Sequence, residues 1–236
     1  MRLDKYLQEH DFVDSRNKAQ TLIKDEKVLV NSKVITKVSF DVNGSESIEV
    51  HSEELYVSRS ALKLKSFLAS LPFKVKGLEA LDIGASTGGF SEVLLEESVK
   101  SVVCVDVGSG QLHTKIKEDP RVENFESTDI RNFTYNSAFN LVVSDVSFIS
   151  LLKILDDVDR VATKWIILLF KPQFEVGREV KRDKNGVIKD KKAIASAMLA
   201  FEDVTLLKKW TLILKEEASI KGKEGNVEYC YCFKKD

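Results

Sequence analysis

Cysteine, on which disulfide frameworks and many metal sites depend, is scarce in this chain. Three of the 236 residues are cysteines, Cys104, Cys230 and Cys232, an odd number too small for a disulfide framework. None has metal-ligand spacing with the three histidines, so we expect no metal site. Free thiols suit a reducing compartment, and we expect a cytoplasmic protein.

Long apolar runs and an excess of one charge are also missing. The longest strongly apolar run, WIILLF at 165–170, is far shorter than the roughly 20 residues that span a bilayer. The N-terminal MRLDKYLQEHDF is charged from its second residue, which is not typical of a secretory signal. We therefore expect no membrane partner. The formal net charge of −1 gives no global attraction to nucleic acid, so a basic surface must be local.

The pattern of the chain changes near residue 57. Residues 1–56 predict two short helices, then strands in KVLVNSKVITK and SIEVHS, which is a small α+β module. Residues 57–60 are interpreted as a linker. Residues 61–236 alternate apolar strands with amphipathic helices at about 89–98, 111–117, 150–161 and 190–207. This alternation predicts an α/β domain, a parallel sheet with helices on both faces and antiparallel closing strands.

The stretch LDIGASTGGF at 81–90 runs an apolar strand into a glycine-rich turn. Ser86 stands where the dinucleotide-binding fingerprint has its second glycine. The next predicted strand carries Asp106, and a carboxylate at a strand end can accept hydrogen bonds from both ribose hydroxyls of an adenosine. A hydroxyl-bearing turn suits the amino-acid end of S-adenosyl-L-methionine better than a pyrophosphate. We expect this cofactor, with a purely structural turn as the alternative.

The expected cofactor site extends beyond the turn. Asp129, in ESTDIRNF, is interpreted as an acceptor for the adenine amino group or, equally, as a turn cap. The residues assigned to cofactor binding are Asp82, Gly84, Ser86, Thr87, Gly88, Gly89, Phe90, Asp106, Asp129 and Asp145.

Polar residues at strand ends are the candidates for chemistry. Asp145 ends one apolar strand and Lys171, followed by Pro172, ends another, so both should emerge at the carboxyl edge of the sheet, where ligands of open α/β folds bind. For Lys171 the alternative is a solvated strand exit. Residue type alone leaves Lys63 and Glu228 open, as ordinary surface positions or as functional residues.

A resemblance covers nearly the whole chain. The segments MRLDKYL, SRNKAQTLI, VSRSALKL, LDIGASTGGF, VDVGSGQL, SDVSFISL, FKPQFEVGR and GNVEY resemble the TlyA family of ribosomal-RNA 2′-O-methyltransferases, often described as haemolysins, whose larger domain is similar to FtsJ-like methyltransferases. The resemblance implies a catalytic Lys-Asp-Lys-Glu tetrad at Lys63, Asp145, Lys171 and Glu228. It also implies a cytidine in an assembled ribosomal subunit as substrate. The abrupt MRLDKYL start and short C-terminus are similar to the shorter members, for which the large subunit alone is expected.

The N-terminal module resembles the RNA-binding domain named after ribosomal protein S four. The residues that the resemblance assigns to a basic RNA-binding face are Arg2, Lys5, Arg16, Lys18 and Lys24. Over residues 1–60, 9 lysines and arginines face 11 acidic residues, so a solvated charged surface is the alternative. Glu26 and Ser32 stand where glycine is usual, which bears on the geometry of the turns there.

Two other functions are compatible with parts of these patterns. One is a non-catalytic RNA-binding or ribosome-assembly factor that keeps the cofactor fold. The other is a membrane-lytic haemolysin, which the absence of a long apolar segment disfavours.

Overall fold

In a computed structural model the chain forms two compact units, Met1–Leu55 and Tyr56–Asp236. Residues 1–10, 12–13, 15–50 and 56–235 are described. The 57–60 segment, predicted to be a linker, lies in the second unit instead. Tyr56 is buried in its core, the Val57 N–H donates to Glu92 Oε2 at 2.7 Å, and the first helix of the unit begins at Ser60.

The small unit packs two helices against a three-stranded antiparallel sheet. The helices are α1 (Leu3–Glu9) and α2 (Arg16–Lys24), and the strands are β1 (Val28–Val30), β2 (Lys33–Val34) and β3 (Ile48–Val50), in the order β2-β1-β3. Ser15 caps α2 by accepting the Lys18 N–H. Leu7, Ile23 and Val28 are among the buried residues of its own core. The predicted α+β module is therefore confirmed.

Two turns of this unit hold side chains in the left-handed region. Asn31 and Ser32, between β1 and β2, have φ of 50° and 61°, and Glu26 has φ of 61°. Two consecutive positive φ angles are what a two-residue hairpin turn of type I′ requires. The turns thus form although Glu26 and Ser32 replace glycine.

The large unit is built on a seven-stranded sheet. Its strands are β4 (Glu79–Ile83), β5 (Ser101–Val105), β6 (Val122–Phe125), β7 (Phe139–Ser144), β8 (Ala162–Phe170), β9 (Trp210–Glu217) and β10 (Tyr229–Lys235). The order is β6-β5-β4-β7-β8-β10-β9. The strands from β4 to β8 pair in parallel, and β10 pairs antiparallel with both β8 and β9. The predicted antiparallel closing pair is present.

The helices of the large unit are α3 (Ser60–Ser70), α4 (Gly89–Glu96), α5 (Thr114–Lys117), α6 (Leu155–Val161), α7 (Pro172–Glu175) and α8 (Lys191–Leu207), with a 3-10 turn at Leu151–Lys153. The helix predicted over 111–117 begins later, because His113 caps it by accepting the Lys115 N–H. The helix predicted over 150–161 is interrupted at Ile154, which ends the 3-10 turn and precedes α6.

Each face of the sheet carries its own hydrophobic core. Along β8, Ile167 and Leu169 pack with α3 and α4 on one face, while Ile166, Leu168 and Phe170 pack with α6 and α8 on the other. This alternation follows from the two-residue period of a strand. The prediction of an α/β fold with helices on both faces is confirmed.

Residues that follow parallel strands meet at one edge of the sheet. Gly84 follows β4, Asp145 follows β7 and Lys171 follows β8. Because β10 runs antiparallel, with Tyr229 opposite Phe170, Glu228 enters the sheet at this edge too.

Candidate active site

The turn after β4 is shaped by residues with positive φ. Gly84 has φ of 81°, Ser86 of 49° and Gly88 of 94°. A Cβ on Gly84 would lie 3.2 Å from the Val146 Cα, so only glycine combines this backbone conformation with such a close approach. Ser86 is kept in its conformation by two hydrogen bonds. Its N–H donates to Asp106 Oδ2 at 2.8 Å and its Oγ donates to Gln111 Oε1 at 3.0 Å.

Asp106 connects two turns at the edge of the sheet. Besides the Ser86 N–H, it accepts the Gly108 N–H at Oδ1, at 2.7 Å. A carboxylate has about four lone-pair positions, so two remain for hydroxyl donors. Asp106 therefore shapes the turn and can still bind a ribose.

A cavity of about 470 Å³ opens at this edge. Asp106 and Asp145 line it together with apolar side chains of Val107, Ile130 and Ile149. An apolar cavity with a few convergent polar groups is the usual form of a small-molecule site. Its size and lining fit an adenosine-bearing ligand.

Asp129 lies in the wall of this first cavity and also caps a turn. Its Oδ1 accepts the Arg131 N–H at 2.9 Å, and the Arg131 guanidinium pairs with the same carboxylate. The side-chain hydrogen bond from Arg131 lowers the pKa of Asp129. The structure thus shows the turn cap, and a contact with adenine remains a prediction.

Three of the residues assigned to the cofactor lie behind the turn. Asp82 is fully buried and accepts from Ser91 Oγ at 2.7 Å. Gly88 is the N-cap of α4, close to Leu112 and Ile116. A Cβ on Gly89 would lie 3.2 Å from the Ala61 N. None of the three lines this first cavity or the two that adjoin the turn and the tetrad, so their geometry supports the turn from its buried side.

The burial of Asp82 makes stability depend on pH. Burial raises the pKa of Asp82 to about 7, against the lowering effect of the Ser91 hydrogen bond. Between pH 4 and 7 the unfolded chain ionises this carboxyl while the folded protein keeps its proton, so Asp82 makes stability fall as pH rises, by at most about 1.4 kcal/mol per unit. We expect Asp82→Asn to remove that fall. Urea unfolding at pH 5 and pH 8 measures the change in the free energy of unfolding. An equal decrease from pH 5 to pH 8 in the wild type and in Asp82→Asn would contradict the prediction.

A second cavity of about 160 Å³ adjoins the turn, lined by Ser86, Thr87, Phe90, Asp145 and Lys171 among others. Lys171 precedes α7, with Pro172 at the first helical position, so the proline ends β8 and fixes the lysine at the sheet edge. Its Nζ lies 2.6 Å from Asp145 Oδ1 and donates to Ser147 Oγ at 2.7 Å. Lysine and aspartate therefore form a nearly buried ion pair.

The other two tetrad residues form a second buried pair. Lys63 Nζ, on α3, lies 2.6 Å from Glu228 Oε2, and Gln173 Nε2 donates to Glu228 Oε1 at 3.0 Å. A Cβ on Gly222 would lie 2.4 Å from Glu228 Oε1, so this glycine makes room for the carboxylate. Both oxygens of Glu228 are fixed.

The two pairs lie at the junction of the cavities. A third cavity of about 550 Å³ is lined by Lys63, Lys171 and Glu228, while Asp145 lines the first two. Burial raises the pKa of Asp145, and the Lys171 and Lys63 ammonium groups oppose that rise. The structure thus brings all four predicted residues together. They lie between the first cavity, which suits adenosine, and the third cavity, which has the size of a nucleotide.

The sequence patterns did not indicate three neighbours of the tetrad. Ser147 holds Lys171, and Gln173 holds Glu228. Phe148 is 92% exposed with φ of 65°, and its ring lies 5.3 Å from that of Phe174. Phe148 lines both the first and third cavities. The segments SDVSFIS and FKPQF contain these residues, but their pairing depends on the tertiary fold.

The basic residues predicted in the small unit have unequal surroundings. Arg2 and Arg16 both contact the buried Asp4, and Lys5 pairs with Glu9 at 3.3 Å. Lys24 is exposed at the end of α2 and Lys18 is half-buried in its first turn. The predicted basic face of the small unit therefore includes the carboxylate of Asp4, which the sequence patterns did not indicate.

Two other kinds of site are absent from the described residues. Residues 1–10, 12–13, 15–50 and 56–235 include no group of three or more histidine, cysteine or acidic side chains that could hold a metal ion. Within the same ranges no helix has the length and apolar character needed to cross a membrane.

Comparisons with known proteins agree with this architecture. The FtsJ-like methyltransferase family matches residues 56–235, and the S4 domain family matches residues 1–48. A Campylobacter jejuni protein named 23S rRNA (cytidine-2′-O)-methyltransferase TlyA is 45% identical, covering 94% of this chain and 95% of its own. A Mycobacterium tuberculosis protein named 16S/23S rRNA (cytidine-2′-O)-methyltransferase TlyA is 37% identical, over 97% of this chain and 87% of its own.

Solved structures give the same result. A Streptococcus thermophilus structure described as that of a hemolysin aligns with a TM-score of 0.76 at 29% identity, covering 100% of this chain and 88% of that one. Because the S4 and FtsJ-like matches and the close relatives span nearly all of it, this chain belongs to the TlyA family of rRNA methyltransferases.

Proposed function

We propose that this protein transfers the methyl group of S-adenosyl-L-methionine to the 2′-hydroxyl of a cytidine in large-subunit ribosomal RNA, in the cytoplasm. The observation that carries the proposal is the junction at which the Lys171–Asp145 and Lys63–Glu228 pairs separate the adenosine-sized cavity from the third cavity. In such an arrangement a basic side chain would lie between the methyl donor in the first cavity and the RNA hydroxyl that accepts the methyl group in the third.

The first two cavities fit the cofactor. Asp106 would accept from its ribose hydroxyls, the apolar wall with Ile130 and Ile149 would pack on adenine, and the turn at Ser86 and Thr87 would contact the amino-acid end. When bound, the cofactor supplies an electrophilic methyl group.

Lys171 is the proposed general base. A ribose hydroxyl is a weak nucleophile, so its proton must be accepted by a group in hydrogen-bond contact. Only a neutral amine can accept a proton, so we propose that Lys171 reacts in that form. Its two N–H groups then donate to Asp145 and Ser147, and its lone pair accepts the proton of the ribose hydroxyl. The proton passes to Nζ, and Asp145 stabilises the ammonium that forms. Lys63 and Glu228 would orient the ribose from the opposite wall.

The third cavity suits an unpaired nucleotide that lies outside an RNA double helix. Phe148 offers an exposed aromatic face for stacking a base, a contact worth about 1–3 kcal/mol in other RNA-binding proteins. Arg182 and Lys223 add positive charge to the wall. The S4 domain in the small unit supports ribosomal RNA as the source of that nucleotide.

The choice of the large subunit is supported by the relatives. The Campylobacter protein, named for 23S rRNA alone, shares 45% identity over almost equal lengths, whereas the mycobacterial protein named for both rRNAs shares 37%. Tritiated methyl transfer to each isolated, unmodified subunit tests the proposal. We expect stoichiometric incorporation into the large subunit alone. Equal incorporation into the small subunit would refute the subunit choice, and cofactor binding without any transfer would favour a non-catalytic assembly factor.

For cofactor binding we expect Asp106→Ala to weaken S-adenosylmethionine affinity by about 1–3 kcal/mol. The ribose hydroxyls would lose a charged acceptor, and the Ser86 N–H would lose its partner. Isothermal titration calorimetry measures the change, with Asp41→Ala, an exposed carboxylate of the small unit, as the control. An unchanged affinity would remove Asp106 from the cofactor site.

A further inference from the structure

A buried carboxylate in the small unit binds two arginines from different segments. Asp4, on α1, is 0% exposed. Its Oδ1 accepts from Arg2 Nε at 2.9 Å, and its Oδ2 accepts from Arg16 Nε at 2.7 Å and from Gln20 Nε2 at 2.9 Å. Arg2 precedes α1, whereas Arg16 and Gln20 belong to α2. One side chain thus fixes two guanidinium groups that are distant in sequence.

Asp4 remains ionised across the physiological range. Burial alone would raise the pKa of Asp4, but the hydrogen bonds from Arg2, Arg16 and Gln20 outweigh it and hold the pKa well below its ordinary range. Two positive groups and one negative group therefore form a cluster with a net charge of +1. Without the carboxylate, the two neighbouring guanidinium groups would repel each other.

The arginines of this cluster face solvent although Asp4 does not. Their side chains are 50% and 46% exposed, against 0% for Asp4. A guanidinium has five N–H donors in a rigid plane. Asp4 takes one edge of each plane, through Nε and Nη2 of Arg2 and through Nε of Arg16. The outer donors are left at the surface, in an orientation that a flexible lysine would not keep.

Two adjacent, oriented guanidinium groups are suited to bind a phosphate. Arginine forms bidentate hydrogen bonds with phosphate oxygens, and charge-assisted bonds of this kind are about twice as strong as neutral ones. We propose that Asp4 is a positioning residue that holds Arg2 and Arg16 as a paired clamp for the phosphate backbone of ribosomal RNA. The inference rests on the RNA substrate proposed above, and adds to it the group that organises the contact.

This role and a simple charge effect predict opposite signs for one substitution. Asp4→Asn removes a negative charge beside an RNA-binding face, so long-range electrostatics alone would strengthen binding. If Asp4 positions the arginines, the same change weakens binding, because the two planes lose their common anchor. The sign of the change therefore identifies the role.

The test compares Asp4→Asn with Glu9→Gln in the full chain. Glu9 lies on the same helix, and its carboxylate is exposed and paired with Lys5, so it serves as the matched change of charge. Binding to purified, unmodified large ribosomal subunits is measured over a salt series. We expect Asp4→Asn to bind about tenfold more weakly. The slope of log affinity against log salt concentration should be smaller by about one to two, because the RNA keeps roughly one counterion for each phosphate contact that is lost. Glu9→Gln should bind as tightly as wild type or more tightly.

A second variant covers the case in which Asp4→Asn disturbs folding, which circular dichroism and S-adenosylmethionine affinity would reveal. Arg16→Lys keeps the charge and the exposed position but removes the planar fork, and we expect a similar loss of binding. If wild-type affinity persists in Arg16→Lys, or in a folded Asp4→Asn, the clamp is refuted. If the wild-type protein neither binds nor methylates the subunit, the proposed function itself fails.

Discussion

Lys171→Ala should lower the single-turnover rate of methyl transfer by about 100- to 10,000-fold while S-adenosylmethionine still binds. Loss of general-base assistance costs this much in other enzymes. Lys171 contacts Asp145 and Ser147 and faces the third cavity, and in the proposed function its amine acts on the RNA hydroxyl. Rapid-quench transfer to unmodified large subunits measures the rate, and calorimetry measures cofactor affinity.

The matched control is Lys164→Ala, which removes an exposed lysine from the same strand. It should transfer methyl groups at the wild-type rate. A Lys171→Ala protein with a near-normal rate would contradict the role of Lys171 as general base. Lys171 would then only line the cavity. If Lys171→Ala loses both cofactor binding and methyl transfer, Lys171 belongs instead to the cofactor site.

Glu228→Ala should lower the free energy of unfolding by about 3–5 kcal/mol. Removing one partner of a buried ion pair leaves the other charge without compensation. Here the remaining Lys63 ammonium is nearly buried, and Gln173 loses its acceptor as well. Urea unfolding followed by circular dichroism measures the loss.

A double variant separates stability from chemistry at this pair. Lys63→Met combined with Glu228→Gln removes both charges and keeps an acceptor for Gln173, so we expect at least half of the lost stability to return. Methyl transfer should stay impaired, because no charged pair remains to orient the ribose. A double variant that regains full activity would show that Lys63 and Glu228 serve the fold alone.

Much of the fold is predictable from local sequence. The strands from β4 to β10 other than β6 follow from apolar runs, and the turn at Asn31 and Ser32 follows from its position between two such runs. Strand β6 (VENF) contains no apolar run, because two of its four residues are polar, so the apolar pattern does not indicate it. Helix α5 is shorter than predicted because its cap at His113 depends on local hydrogen bonding that the apolar pattern does not reveal.

The site is predictable only in part, for a physical reason. Strand-end position is a local property, and it indicated Asp145 and Lys171 directly. The pairing of Lys63 with Glu228 joins residues 165 positions apart, and only the family resemblance suggested it. The contacts of Ser147 and Gln173 with these pairs, and the position of Asp4 between two arginines, depend on side-chain packing that no periodicity encodes.

Methylation of a cytidine 2′-hydroxyl leaves a product that can be identified in the RNA itself. Nucleoside mass spectrometry of ribosomal RNA identifies that product after unmodified large subunits are incubated with the enzyme and S-adenosylmethionine. We expect one new 2′-O-methylcytidine per large subunit with the wild-type protein and almost none with Lys171→Ala. A methyl group on a base, or no methylated nucleoside at all, would contradict it.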